Sequence, residues 1–227
     1  RIAPETYLKR AIVGGFTKVF EFARCFRNEG IDATHLQDFT MLEGYGAYLN
    51  YKDNMKFLRE MIQTVVMNLF GKLELTIEGK TIDISGEWES ISMRDLILKH
   101  SNIDIYEYNT KEKLLEKIKS EKLEIDSETP LESLGYGNLV DQLYKKVARP
   151  FVLGPVFLTE HPISLSPLAR ANDLNKELTD RFQLIMNGAE IINAYSELVD
   201  PMEQEKRLIE QANLKANGDD EAMMMDY

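Results

Sequence analysis

The stretch that decides the fold is TKVFEFARCFRNEG, residues 17–30, together with HLQDFTMLEGYGAYLNY, residues 35–51. The first run alternates in part and is rich in β-branched and aromatic residues, and the second does much the same after a polar loop. Two such runs around a loop predict a long antiparallel hairpin over about 17–51. Near the loop stand Arg27, Glu29, His35, Phe39 and Glu43. An arginine forks onto a phosphate or a carboxylate, and a phenylalanine stacks on a base. If these side chains share one face, the hairpin would grip ATP. Taken alone, the same residues also fit a solvated cross-strand pair and a core aromatic.

Working outward, Pro4 opens a short helix that Gly14-Gly15 ends. After the hairpin, Met55, Leu58, Met61, Ile62, Val65, Val66, Leu69 and Phe70 fall at helical spacing, with Gly71 as a stop. LELTIEGKTIDI, 73–84, predicts a small hairpin turning at Glu78-Gly79-Lys80. Ser92 is placed to cap a helix through Lys99, with Asp95 three residues on. A second helix is expected across 111–121 and an amphipathic one in NLVDQLYKKVARP, ending before Pro150. Strand returns at FVLGPVFLTE, 151–160. RFQLIMNGAEIINAYSEL, 181–198, predicts two strands around the tight-turn pair Asn187-Gly188. Asp200-Pro201 opens a last, charged helix with Gly218 after it. Antiparallel hairpins with helices set to one side predict an α+β fold, and residues 91–149 look like a helical insertion.

The 227 residues suffice for one sizeable core plus an insertion. Hydrophobic content of 44% and charged content of 29% are those of ordinary globular proteins. No apolar run is long enough for a membrane helix. The single cysteine, Cys25, excludes an internal disulfide and fits a reducing cytoplasm; in its apolar strand it is expected to be a small buried hydrophobe. The net charge of −11 argues against strong nucleic-acid binding by this chain alone, because phosphate contacts need clustered Lys and Arg. No Cys/His cluster suggests zinc, and no Walker-type glycine loop is present. His100 and His161 look unremarkable.

The hairpin resembles motif 2 of the class II aminoacyl-tRNA synthetases, an arginine in F-R-x-E, a variable loop, then H-x-x-x-F. More narrowly, the chain resembles the catalytic domain of the lysyl-tRNA synthetases. RIAPE at 1–5, LKRAIVGGF at 8–16, FRNEG, FTMLEGY, SPLAR at 166–170, NGAEIINAYSEL at 187–198 and GDDEAM at 218–223 match in order, most weakly between about 72 and 150. The resemblance implies an antiparallel sheet flanked by helices, with the catalytic core at 1–90 and 150–227 and the insertion at 91–149. It implies ATP-dependent activation of lysine with Mg2+ as the metal, transfer to tRNA(Lys), and a homodimer. It also places an anticodon-binding barrel and motif 1 upstream and motif 3 downstream, so the chain reads as an internal part of a longer protein, and its isolated activity is doubtful.

By the same resemblance, Glu5 and Glu43 hold the α-amino group of lysine, and Glu197 with Tyr45 holds the ε-amino group. Arg27 and Asn193 take the carboxylate, and Tyr195 lines the slot. Glu197 lies in an otherwise apolar stretch, where a partly buried acid selects an amine over a methyl or an amide. For ATP, Arg27 meets the α-phosphate and is the catalytic charge stabiliser. Glu29 accepts from the adenine amino group, His35 approaches the outer phosphates and Phe39 stacks on adenine. Two departures stand out. Thr34-His35-Leu36-Gln37-Asp38-Phe39 replaces R-H-N-P-E-F, with loss of a basic residue. Of two glutamates expected at magnesium, Glu190 is present but Gln183 replaces the other, and an amide is a weaker ligand for a hard cation. A ligase that lysylates elongation factor P and a catalytically inactive synthetase-like binding module are the rival readings.

Overall fold

The computed structural model describes residues 1–28, 35–127, 129–219 and 222. The chain forms two compact units, Arg1–Leu49 and Asn50–Tyr227.

In the first unit, helix α1 (Glu5–Val13) starts behind Pro4 and buries Leu8. Gly14 closes it, its N–H bonding the Arg10 carbonyl while the Gly15 N–H bonds that of Ile12. Gly15 then turns the chain at φ 103°, a conformation that side chains resist. Strands β1 (Lys18–Phe26) and β2 (Asp38–Gly46) form the expected antiparallel hairpin, in register from Lys18 opposite Gly46 to Phe26 opposite Asp38. Period-two alternation gives it two faces. Val19, Glu21, Ala23 and Cys25 lie opposite Tyr45, Glu43, Met41 and Phe39. This is the more buried face, and Cys25 on it is fully enclosed. The other face leaves Phe20, Phe22, Phe26 and Leu42 exposed. Helix α1 packs against both strands.

The second unit opens with α2 (Tyr51–Phe70). Asn50 accepts from the N–H groups of Lys52 and Asp53, and Asp53 accepts from the Asn50 N–H, a reciprocal cap. Gly71, left-handed at φ 68°, stops the helix as expected. Strands β3 (Glu74–Ile77) and β4 (Lys80–Asp83) pair around Glu78-Gly79, both at positive φ, the geometry of a tight hairpin turn. The main sheet has the order β5 (Glu89–Ser92), β6 (Val156–Thr159), β7 (Arg181–Met186), β8 (Ala189–Tyr195). Helices α3 (Met93–Ser101), α4 (Lys111–Ser120) and α5 (Tyr136–Val147) connect β5 to β6, and α6 (Pro201–Ala216) follows β8.

The sequence does not announce β5, and its pairing corrects the expectation of a purely antiparallel sheet. β5 runs parallel to β6, and the remaining pairs are antiparallel. Parallel neighbours need a long crossover, and the three helices supply it. A second difference is that β8 ends at Tyr195 rather than continuing through Leu198. There the Ser196 N–H makes one last rung to the Asp180 carbonyl, and the backbone then bonds residues 168–170, the Arg170 N–H reaching the Ser196 carbonyl and the Leu198 N–H that of Leu168. Glu197 therefore lies past the strand, in a bridge with Ala169.

Alternation along the sheet sorts its side chains into two cores. Phe157, Phe182, Leu184 and Met186 pack with α2, Ile82, Ile84 and Trp88 on one face. Leu158 and Ile185 pack with α3, α4 and α5 on the other. Fully burying a side chain such as Phe182 or Leu184 is worth about 1.5–3 kcal/mol, so both layers hold the sheet flat against its helices. The Tyr51 N–H donates to Ser196 Oγ at 3.0 Å, fixing the start of α2 to the end of β8.

Candidate active site

In the first unit, the hairpin carries Arg27 just past β1. The Arg27 N–H bonds the Gln37 carbonyl at 3.0 Å, so pairing continues beyond the strand ends. Its guanidinium carbon sits 5.3 Å from the centre of the Phe39 ring, and its Nε donates to the Ile2 carbonyl at 3.3 Å. The two residues expected on phosphate and on adenine are thus neighbours. His35 is exposed. Glu29 and Thr34 lie outside the described residues.

The same hairpin face and α1 bring a second group together. The Tyr45 hydroxyl donates to the Glu43 carboxylate. Lys9, one turn after Glu5, donates to its carboxylate at 2.6 Å. The Lys9 ammonium also lies 5.6 Å from the centre of the Tyr45 ring. Glu5 and the Tyr45 ring therefore lie against an ammonium belonging to the chain, and Glu43 is bonded to that tyrosine. Tyr45, expected to work with Glu197, is bonded here to Glu43.

In the second unit, Arg181 and Gln183 of β7 lie opposite Tyr195 and Asn193 of β8. Alternation puts them on the sheet face of Leu158 and Ile185. Arg181 Nε donates to Asn193 Oδ1 at 2.9 Å. A second guanidinium nitrogen reaches the Leu165 carbonyl at 3.2 Å and Ser166 Oγ at 2.8 Å. Asn193 is exposed, while Tyr195 and Glu197 are half-buried. The sequence reading missed Arg181. Its one sequence signal is a cation two residues before Gln183 in an apolar run, at strand spacing.

Gln183 Nε2 donates to the Glu190 carboxylate at 2.6 Å, and Gln183 Oε1 lies 3.1 Å from His161 Nε2. A carboxylate accepts and an amide nitrogen donates, so the amide orientation is fixed and His161 Nε2 carries a proton. His161 is fully buried, and its Nδ1 has no hydrogen-bond partner. Burial, then the Arg181 charge, holds its pKa well below the usual histidine value. Glu190 keeps part of its side chain in solvent. Its carboxyl is nevertheless raised, chiefly by packing that withdraws it from water, against the pull of Arg181. His161 looked unremarkable in the sequence because nothing near it in the chain marks Gln183 as its partner.

The donor set at Gln183 and Glu190 does not fit the expected cation. The amide oxygen of Gln183 is occupied by His161, and the amide nitrogen, which cannot ligate, faces the one carboxylate. Among the described residues, no three His, Cys, Asp or Glu side chains gather as a metal site. Nor, among them, is any helix long and apolar enough to cross a membrane.

The chain belongs to the class II tRNA synthetases of the D, K and N group, whose family model matches residues 1–227. It is 44% identical over 211 residues to the lysine–tRNA ligase of Dehalococcoides mccartyi (strain CBDB1), covering 93% of this chain and 41% of that protein. It is 42% identical over 226 residues to the lysine–tRNA ligase of Thermosipho africanus, covering 100% of this chain and 43% of that protein. With the lysine–tRNA ligase of Shigella dysenteriae it shares 42% over 230 residues, 100% of this chain and 44% of that protein. The chain thus spans less than half the length of these relatives.

Proposed function

We propose that this chain is the lysine-activating part of a lysine–tRNA ligase. A carboxylate oxygen of lysine attacks the α-phosphorus of ATP. The bond from that phosphorus to the oxygen bridging to the β-phosphate breaks, and pyrophosphate leaves. A hydroxyl of the terminal ribose of tRNA(Lys) then attacks the lysyl carbonyl, and AMP departs. No protein nucleophile is required; positioning and charge stabilisation suffice.

The observation that carries this reading is the ammonium of Lys9, paired to Glu5 beside Tyr45 and Glu43. Those groups suit an amine, and an amino acid with a free amino group would compete for the same acids. Arg27 neutralises charge at the α-phosphate, and Phe39 stacks on adenine. Glu29 takes the adenine amino group and His35 the outer phosphates. Asn193 meets the lysine carboxylate, Tyr195 lines the slot, and Glu197 receives the ε-ammonium. Magnesium belongs to this chemistry as the counter-ion of the ATP phosphates; of the two acids expected to hold it, only Glu190 is an acid here. Residues 91–149 are an insertion into a core made of 1–90 and 150–227. The tRNA(Lys) partner, a homodimer and a cytoplasmic location complete the proposal, on the strength of the relatives' names and the family.

Calorimetry with lysine tests it. Glu43→Gln should weaken lysine by about 2–4 kcal/mol, the scale for removing one partner of a desolvated charge pair. Unchanged lysine affinity in that variant, or no lysine binding by the unaltered protein, would overturn the assignment.

A further inference from the structure

Arg181 has no role in the chemistry above, yet it is tied to a residue that does. It stands on β7 diagonal to Asn193 of β8, on the same sheet face, since Arg181 pairs with Tyr195 and Gln183 with Asn193. Its Nε–H meets Asn193 Oδ1 at 2.9 Å, and its other contacts anchor it to the Leu165 carbonyl and Ser166 Oγ. A guanidinium only donates. The atom of Asn193 that faces it must therefore be the amide oxygen, and the amide NH2 must point away. An asparagine free to turn offers an acceptor or a donor to whatever approaches. One held by its oxygen offers donors alone.

We propose that Arg181 is a positioning residue that sets the polarity of the substrate site, by holding Asn193 so that it receives a carboxylate and not an amine. This rests on the placing of the lysine carboxylate at Asn193. Lysine carries two ammonium groups and one carboxylate, so a site lined with acids for the amines needs a donor-only spot for the third group. Arg181 creates that spot without touching the substrate. Its hold on the 165–166 segment keeps the guanidinium from swinging to the substrate itself.

The test compares lysine with 1,5-diaminopentane, which is lysine without its carboxylate, in the full-length gene product. Lysine affinity is read by calorimetry and the diamine by competition. Arg181→Met should weaken lysine about 10–100-fold, the scale of one charge-assisted hydrogen bond, and leave the diamine unchanged. Arg181→Lys keeps a donor at the same place and should restore part of the loss; if the methionine variant does not fold, the lysine variant is read against wild type for the same selective loss. Equal weakening of lysine and the diamine, or no weakening of either, would overturn the proposal. Asn193→Ala separates it from the reading beneath it. If that change leaves lysine affinity intact, the carboxylate is not at Asn193; if it weakens lysine and the Arg181 variants do not, only the role of Arg181 fails.

Discussion

In the proposed function, Arg27 is the residue on which phosphate chemistry turns. Its guanidinium rests over Phe39 and its Nε is satisfied by the Ile2 carbonyl. Contacts of this kind on an accessible hairpin contribute little to folding, so its main value is to transition-state charge. Arg27→Ala should therefore cut lysine-dependent ATP–pyrophosphate exchange by about 10²-fold or more, as for other removed charge-stabilising donors, with little change in melting temperature. Exchange within a few-fold of wild type would make Arg27 structural. Gln183 makes the opposite case, a residue whose departure from expectation is now explained by contacts. It bridges a buried His161 to Glu190 and replaces a cation ligand with a hydrogen bond. Gln183→Glu should raise Mn2+ affinity, measured by electron paramagnetic resonance without nucleotide, by about 10-fold or more, since it supplies a second hard carboxylate. An unchanged Mn2+ titration would show that the cation site depends on other residues. Arg27, Phe39 and Asn193 could be proposed from the sequence because each stands in a motif. Arg181 and His161 were not, because their partners lie across a strand or far along the chain.

At the scale of elements, local signals were read most reliably. The hairpin follows from alternation, α2 from helical spacing and Gly71, and the β7–β8 turn from Asn187-Gly188, both at positive φ. β5 was missed because ESIS is short, half serine, and gains its partner only from β6, more than sixty residues later. Non-local pairing of this kind leaves no periodic trace. The end of β8 was misplaced because past Ser196 the backbone bonds the 168–170 segment in place of β7, and no turn residue marks the change. The loop after α3 offers a test of element stability. Arg94 Nε donates to Asp104 Oδ1 at 2.8 Å, and the Tyr106 N–H caps the same carboxylate. The Arg94 bond, first among the causes, holds the Asp104 carboxyl below its usual range. A carboxyl depressed on folding contributes stability above its unfolded pKa, near about 3.9, and loses it as pH falls through the folded value. Asp104→Asn should therefore be less stable than wild type in urea unfolding at neutral pH, and the gap should close below about pH 4. A gap independent of pH would remove the ion pair from the account.

At the scale of the whole molecule, the order of the matched blocks carried the family, and the family model spans the chain from end to end. What order could not supply is the division at Leu49 and Asn50 or the packing of α3, α4 and α5 on the sheet. Both depend on which faces meet, and motifs are silent on that. The net charge of −11 argues against strong nucleic-acid binding by this chain alone. The family groups three amino acids, D, K and N, and in the proposed function Glu197, which receives the side-chain ammonium, chooses among them. The most direct measurement is ATP–pyrophosphate exchange by the full-length gene product with lysine, aspartate and asparagine in turn. Lysine should drive exchange on the order of 10⁴-fold faster, per unit kcat/KM, than either of the others, because their side chains leave the half-buried Glu197 unpaired or repelled. Equal or greater exchange with aspartate or asparagine would contradict the assignment of Glu197 to the side-chain amine.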